Sequence, residues 1–223
     1  MKKFELIYQR ALKRKGEQEL LDRINVSVQN SSQLKAISSD RYLALITKAI
    51  FKAGFVWKII DYKWPGFEQA FWNFNVTRCA WISPDDLDTL YCDSRVIKNA
   101  TKINTVQANA TMILELDAEQ GSFVEQVADW PADDFIGLLD LLHKRGSRLG
   151  KLTSQYFLRS LGKDGFVLSR DVVAALIDAA VIDKPPTSKA EFLSIQNAFN
   201  CWMDETGYGL TVISRILGLS IDA

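Results

Sequence analysis

The sequence predicts an all-α protein. Apolar residues recur at helical spacing along nearly the whole chain, helix-start and helix-stop signals punctuate it, and strand-like alternation is confined to a few residues. Phe4–Ile24 places Leu6, Ile7, Ala11, Leu20, Leu21 and Ile24 among many charges, which predicts one surface helix or two. The polar run Gln29–Gln33 breaks it, and Ser38, Ser39 and Asp40 offer capping side chains for an apolar helix over Tyr42–Ala53, stopped by Gly54. Phe55–Tyr62 reads as a short helix, punctuated by Trp64-Pro65-Gly66 before Phe67–Phe74.

Ser83-Pro84-Asp85-Asp86 has a cap, a proline at the first helical position and acids in the first turn. Asn99–Leu116 is the longest clean helical pattern. Pro131 and two aspartates open another helix, which Gly146 ends. Gly150–Gly162 and Arg170–Val181 follow. Ser188 with Glu191 forms a capping box for Lys189–Glu205, and Thr211–Leu217 closes the chain. The sum is about ten helices, with neither an internal repeat nor a linker between independent domains.

The 223 residues are 48% hydrophobic and 24% charged, enough for one substantial domain or two lobes sharing a core. Cys79, Cys92 and Cys201 are odd in number and far apart, and His143 is the single histidine. That pattern predicts neither a disulfide framework nor a closely spaced metal site, and no cofactor is expected. The charged amino terminus lacks an apolar signal core, and no run approaches the roughly 20 apolar residues of a membrane span. A cytoplasmic monomer without membrane association is expected.

Lys+Arg and Asp+Glu balance at 27 each, so total charge points to no partner. The distribution is more informative. Thr111–Leu142 carries eight acids and no Lys or Arg, and Lys144–Val172 follows with Lys144, Arg145, Arg148, Lys151, Arg159, Lys163 and Arg170 against Asp164 and Asp171. This polarity predicts one positive surface and one solvated acidic surface. Within the basic stretch, Arg148-Leu149-Gly150-Lys151 forms a glycine turn between two amphipathic helices. Backbone N–H groups at Leu149 and Gly150 can donate to a phosphate at the start of the following helix, with charge from Arg148 and Lys151. Such contacts position a nucleic acid without reading its sequence.

Three motifs carry a resemblance. Ala53-Gly54-Phe55-Val56-Trp57, then Val96-Ile97-Lys98-Asn99-Ala100-Thr101-Lys102-Ile103, then Arg145–Gly162 resemble in order and spacing the DNA-3-methyladenine glycosylase I family. That family belongs to the helix-hairpin-helix base-excision superfamily. The similarity runs from about Ser38 to Val181, with residues 1–37 and 182–223 as flanking helices of a single two-lobed domain. The resemblance implies a two-lobed helix-hairpin-helix glycosylase fold, a hairpin that grips double-stranded DNA, and an alkylated base rotated out of the duplex. It implies that Trp57 stacks on that base, an indole face being attractive to cationic 3-methyladenine by ~0.5–2 kcal/mol. Phe55 falls where an apolar wedge would fill the vacated gap.

The departures concern catalysis. The family's base-contacting glutamate falls at Ala49, the superfamily's catalytic aspartate falls at Ser169, and the family's two-cysteine, two-histidine zinc site has no counterparts. In the family hairpin a glycine stands where this chain has Arg148. Asp171, in the first turn of a helix capped by Ser169, is the candidate catalytic carboxylate, kept ionised by the positive helix end. No lysine occupies the position used by strand-cleaving members. The expected function is therefore monofunctional hydrolysis of the N-glycosidic bond of an alkylated purine such as 3-methyladenine. The alternatives are a catalytically impaired damaged-DNA-binding protein on the same scaffold, and a helical protein whose similarity records ancestry only.

Overall fold

The computed structural model describes residues 1–222. Fourteen α-helices form, and no strand occurs among the described residues. They are α1 (Phe4–Lys15), α2 (Glu17–Ile24), α3 (Ser31–Lys35), α4 (Ser39–Lys52) and α5 (Trp57–Ala70). Next come α6 (Val76–Ala80), α7 (Pro84–Cys92), α8 (Ala100–Gln120), α9 (Phe123–Asp129) and α10 (Phe135–Arg145). The last are α11 (Lys151–Leu161), α12 (Arg170–Asp178), α13 (Lys189–Thr206) and α14 (Leu210–Leu219). The count exceeds the expected ten because the short helices α3, α6 and α9 lie in stretches too brief to show a period, and because Gly16, at φ +74°, divides the first helix into two.

The helices gather into two compact units, and the chain passes between them more than once. The terminal unit contains Met1–Gln29, Trp130–Leu138 and the chain from Gly162 onward; the central unit contains Asn30–Asp129 and Leu139–Leu161. This division differs from the sequence reading of a core at 38–181 with flanking ends. Both chain ends pack with each other and with α12, as α1 and α12 meet α14, so they form the body of one unit.

In the terminal unit the core is a chain of rings. Phe135 meets Phe166 at 4.9 Å, Phe166 stacks on Phe199 at 4.4 Å, and Phe199 meets Trp202 at 5.8 Å, with Phe4 beyond it at 5.9 Å. All five are fully buried, and such ring pairs add ~0.5–1.5 kcal/mol each beyond their area. Gly209 has no side chain with which to cap α14. Asp164 does so from a distant loop, accepting from Leu210 N at 3.0 Å and Thr211 N at 2.8 Å. In the sequence Asp164 appeared only as an acid opposing the basic run.

In the central unit α4 is the axis, packed against α5, α8, α9 and α11. Tyr42 is fully buried edge-on to Phe123 and Phe157, its hydroxyl donates to Leu34 O at 3.1 Å, and burial pushes its pKa up to about 12. The expected break at Trp64-Pro65-Gly66 does not occur: α5 runs through Pro65. The reason is packing. Trp64 stacks on Phe67 and Phe74 at 5.2 and 5.4 Å, its indole donates to Glu68 at 2.9 Å, and a side chain at Gly66 would strike Arg95 O. The expected helix over Phe67–Phe74 instead stops at Ala70. Trp72, Asn73 and Phe74 make a left-handed turn, φ +50° to +60°, held by Arg41 donating to Asn73 O and by the Arg78 guanidinium 4.1 Å over the Trp72 ring.

Ser188 forms the capping box expected of it, and Ser83, expected as a cap, forms a capping box with Asp86 as well. Ser38 makes no side-chain cap. Asp40, expected to help start α4, accepts instead from Val76 N at 3.0 Å, the first amide of α6, which Asn75 caps. Pro131 opens a single tight turn rather than a helix, and α10 begins at Phe135.

Candidate nucleic-acid interface and base pocket

The Ala53–Trp57 segment is the turn between α4 and α5 in the central unit. It is shaped by Gly54 at φ +76°, a left-handed conformation that favours glycine. The last carbonyls of α4 have no partners within the helix. Lys102, from α8, supplies them: its Nζ donates to Ile50 O at 2.9 Å, Phe51 O at 3.3 Å and Ala53 O at 2.5 Å. The ammonium also lies 4.4 Å from the centre of the Phe55 ring. A cation at a helix C-terminus is favourable, while burial and the nearby charge of Arg148 push the Lys102 pKa below its ordinary value. Lys102 was legible only as part of the second resembling motif. No local spacing signals that a lysine so far along the chain returns to anchor this turn.

Beyond that anchor the turn is open. Phe55, Val56 and Trp57 are 38%, 62% and 47% exposed, which is unusual for consecutive apolar residues. Beside them lies a cavity of about 290 Å³, lined from α4 by Leu45, Lys48, Ala49 and Lys52, from the turn by Ala53 and Gly54, and by Trp57. Its far wall is α11, through Leu152, Thr153, Tyr156 and Ser160. Of Ala49, Phe55, Trp57 and Ser169, the residues assigned to a base pocket from the sequence, Ala49 and Trp57 line this cavity and Phe55 and Ser169 do not. Trp57 stands edge-on to Tyr156 at 5.2 Å and 87°.

The cavity is positively charged. Lys52 Nζ lies 5.1 Å over the Trp57 ring and Lys48 Nζ lies 5.0 Å over that of Trp64. Both lysines pair with Asp61, at 2.9 and 2.8 Å, and those hydrogen bonds hold the Asp61 carboxyl below its ordinary pKa.

The hairpin lies in the same unit. Between α10 and α11, Arg148 takes φ +56°, the left-handed position where the resembling family has glycine. The arginine is exposed and carries a cost of ~1–2 kcal/mol for that conformation. Leu149 is buried, so only its backbone can face a partner. Gly150 has open space where a side chain would stand. Gly146 does not: a Cβ there would strike Leu149 and Leu142 O. Asn109, from α8, holds the turn by donating to Ser147 O and accepting from Ser147 N.

The acidic and basic blocks of the sequence meet at two residues, Arg145 and Lys151. Arg145 bonds Glu119 at 2.7 and 2.9 Å and reaches Glu115 at 3.4 Å, and Lys151 pairs with Asp140. In the terminal unit Lys163 is buried and donates to Trp130 O at 2.7 Å. Sequence adjacency of like charges gave no sign of these partners, which lie elsewhere along the chain.

Ser169 and Asp171 belong to the terminal unit. Ser169 caps α12 by accepting from Val172 N at 3.3 Å, and half-buried Asp171 sits in its first turn, as the sequence implied. The zinc site of the resembling family does not fit. Cys79 is buried with its thiol pKa pushed up to about 12, and among the described residues no three His, Cys, Asp or Glu side chains gather as metal ligands.

An all-α fold with a glycine hairpin beside an aromatic, helix-lined cavity defines the class of helix-hairpin-helix DNA glycosylases. Solved structures agree on the fold. The 8-oxoguanine glycosylase/lyase of Methanocaldococcus jannaschii, in complex with DNA containing 8-oxoguanine, matches with a TM-score of 0.59 at 14% identity over 95% of each chain. The 3-methyladenine DNA glycosylase I of Staphylococcus aureus matches with a TM-score of 0.51 at 21% identity, over 68% of this chain and 89% of that one. No curated protein matches. The pattern of the methyladenine glycosylase family matches residues 25–181, more than half of the chain, and the protein belongs to that family. No helix among the described residues is long and apolar enough to cross a membrane.

Proposed function

We propose that this protein is a monofunctional DNA glycosylase that hydrolyses the N-glycosidic bond of a damaged base turned out of double-stranded DNA into the Ala49–Trp57 cavity. The observation that carries the proposal is the cavity itself: it opens beside the exposed Phe55–Val56 turn, in the same unit as the hairpin. Phe55 fills the space left in the duplex, Trp57 contacts the base, and Arg148 with the Leu149–Gly150 backbone and Lys151 holds phosphate.

In the reaction the C1′–N bond breaks with its electron pair leaving on the base, a water oxygen bonds to C1′, and that water's proton passes to the departing base or, where the bound base was cationic, to solvent. Asp171 is the candidate carboxylate for stabilising the oxocarbenium-like sugar and orienting that water. An alkylated purine is the first substrate to test, since 3-methyladenine stands in the names of solved relatives. The second reading is a damaged-DNA-binding protein without turnover, favoured by Ala49 and Ser169, neither of which offers a carboxylate.

Release of free base from methylated duplex DNA by the purified protein tests the proposal. Release identifies a glycosylase. Tight, salt-sensitive binding to damaged duplex with no base released from any duplex identifies the second reading.

A further inference from the structure

The lining of the cavity specifies the kind of base it accepts. Of its eleven lining residues, Lys48 and Lys52 carry ammonium groups and none carries a carboxylate. The nearest carboxylate in contact with them, Asp61, is shared by both lysines, so the trio keeps a net positive charge. The Trp57 ring, which would attract a cationic base, already has the Lys52 ammonium over it at 5.1 Å. Lys102 adds a third cation at the Ala53 carbonyl. Ala49 stands on α4 between Lys48 and Lys52, and its methyl group offers nothing to balance a positive guest.

A cation entering this space would be desolvated among like charges, which is unfavourable at short range in a medium poorer than water in screening. A neutral base with a ring carbonyl meets the opposite situation. Its oxygen accepts a charge-assisted hydrogen bond from an ammonium that is already positioned.

Resting on the glycosylase reading for the identity of the site, we infer that this cavity selects neutral, carbonyl-bearing bases over cationic alkylated ones, with Lys52 donating to the carbonyl oxygen. The alkylated purine suggested by the names of relatives is then the poorer guest when its alkylation leaves it charged.

Two duplexes, identical except for one base opposite thymine, test this with the full chain. One carries hypoxanthine, neutral and with a carbonyl; the other carries 1-methyladenine, which is cationic at neutral pH. The expected result is binding about tenfold tighter for hypoxanthine, a ratio that collapses toward one in Lys52→Gln, where the ammonium is lost but an amide donor remains. Ala49→Glu, which returns a carboxylate to the wall, lowers the same ratio. Lys52 is partly exposed, so its variant keeps the test independent of any folding defect at buried Ala49.

Equal or tighter binding of the 1-methyladenine duplex by the wild-type protein overturns the inference. So does a hypoxanthine preference that Lys52→Gln leaves intact. Affinity ratios need no turnover. A protein that prefers hypoxanthine but releases no base therefore sustains the selectivity and removes the glycosylase reading, and one that releases base without preference does the reverse.

Discussion

Asn109 and Ser147 exchange two hydrogen bonds, Asn109 Nδ2 donating to Ser147 O at 3.1 Å and Ser147 N donating to Asn109 Oδ1 at 2.8 Å. A wholly buried amide on α8 thus acts as a backbone surrogate, satisfying both polar groups of a residue in the hairpin turn. The turn proposed to meet phosphate is fixed by the helix that also supplies Lys102 to the α4–α5 turn.

Asn109→Ala removes both bonds and leaves the Ser147 N–H and C=O to find other partners. Stability falls by about 1–3 kcal/mol, and DNA affinity falls with it as the hairpin loosens. Denaturant melts and a binding titration on one sample check both. Unchanged affinity in a destabilised protein removes the hairpin from the DNA interface.

Gly150→Ala separates a packing role from a binding one. Open space surrounds the position and its φ is not left-handed, so the added methyl leaves stability equal or raised by ~0.4–1 kcal/mol through the unfolded chain. DNA binding is expected to weaken, because the methyl stands where the proposed phosphate contact is made. A variant that binds as well as wild type shows that nothing approaches Gly150 closely.

Lys102→Met keeps the apolar stem and removes the ammonium from the Ile50, Phe51 and Ala53 carbonyls. Loss of about 1–3 kcal/mol is expected, since hydrogen bonds to a charged group are the stronger kind. The Phe55–Trp57 turn should lose order as well. Slowed exchange at Gly54 and Phe55 amides, relative to wild type, would contradict that anchoring role.

Glu191 gives the clearest pH signature. Backbone N–H groups of Ser188 and Thr187 and the Ser188 hydroxyl donate to its carboxylate, holding its pKa at about 2. The folded value lies below the unfolded one, so the unfolded chain binds the proton more readily between them. The stabilisation is complete above about pH 4.5 and disappears as pH falls toward 2. Side-chain NMR titration of Glu191 should give that low midpoint, and Glu191→Gln should flatten this part of the stability profile. A midpoint near 4.5 would show that the capping box does not hold the carboxylate.

Helix starts governed by contacts three residues apart were legible: Ser83 before α7, Ser169 before α12 and Ser188 with Glu191 all cap as their spacing implies. The motif around Ala53–Trp57 and the hairpin pointed correctly to the family, and Ala49 and Trp57 do share a cavity. The misreadings occurred where a distant partner decides. Pro65 remains helical because Trp64 stacks on Phe67 and Phe74, and the Asp40 carboxylate accepts from the first amide of α6 rather than capping α4.

The sequence by itself determined the helical class, the local caps and the residues that mark the family, because each depends on periodicity or on neighbours within one turn. Only the tertiary structure decided which charges pair. It set Arg145 against Glu119 and Lys151 against Asp140, and it placed Lys48 and Lys52 on the wall of the cavity. Coulomb energy depends on separation in space and on local screening, and neither quantity is fixed until the helices pack.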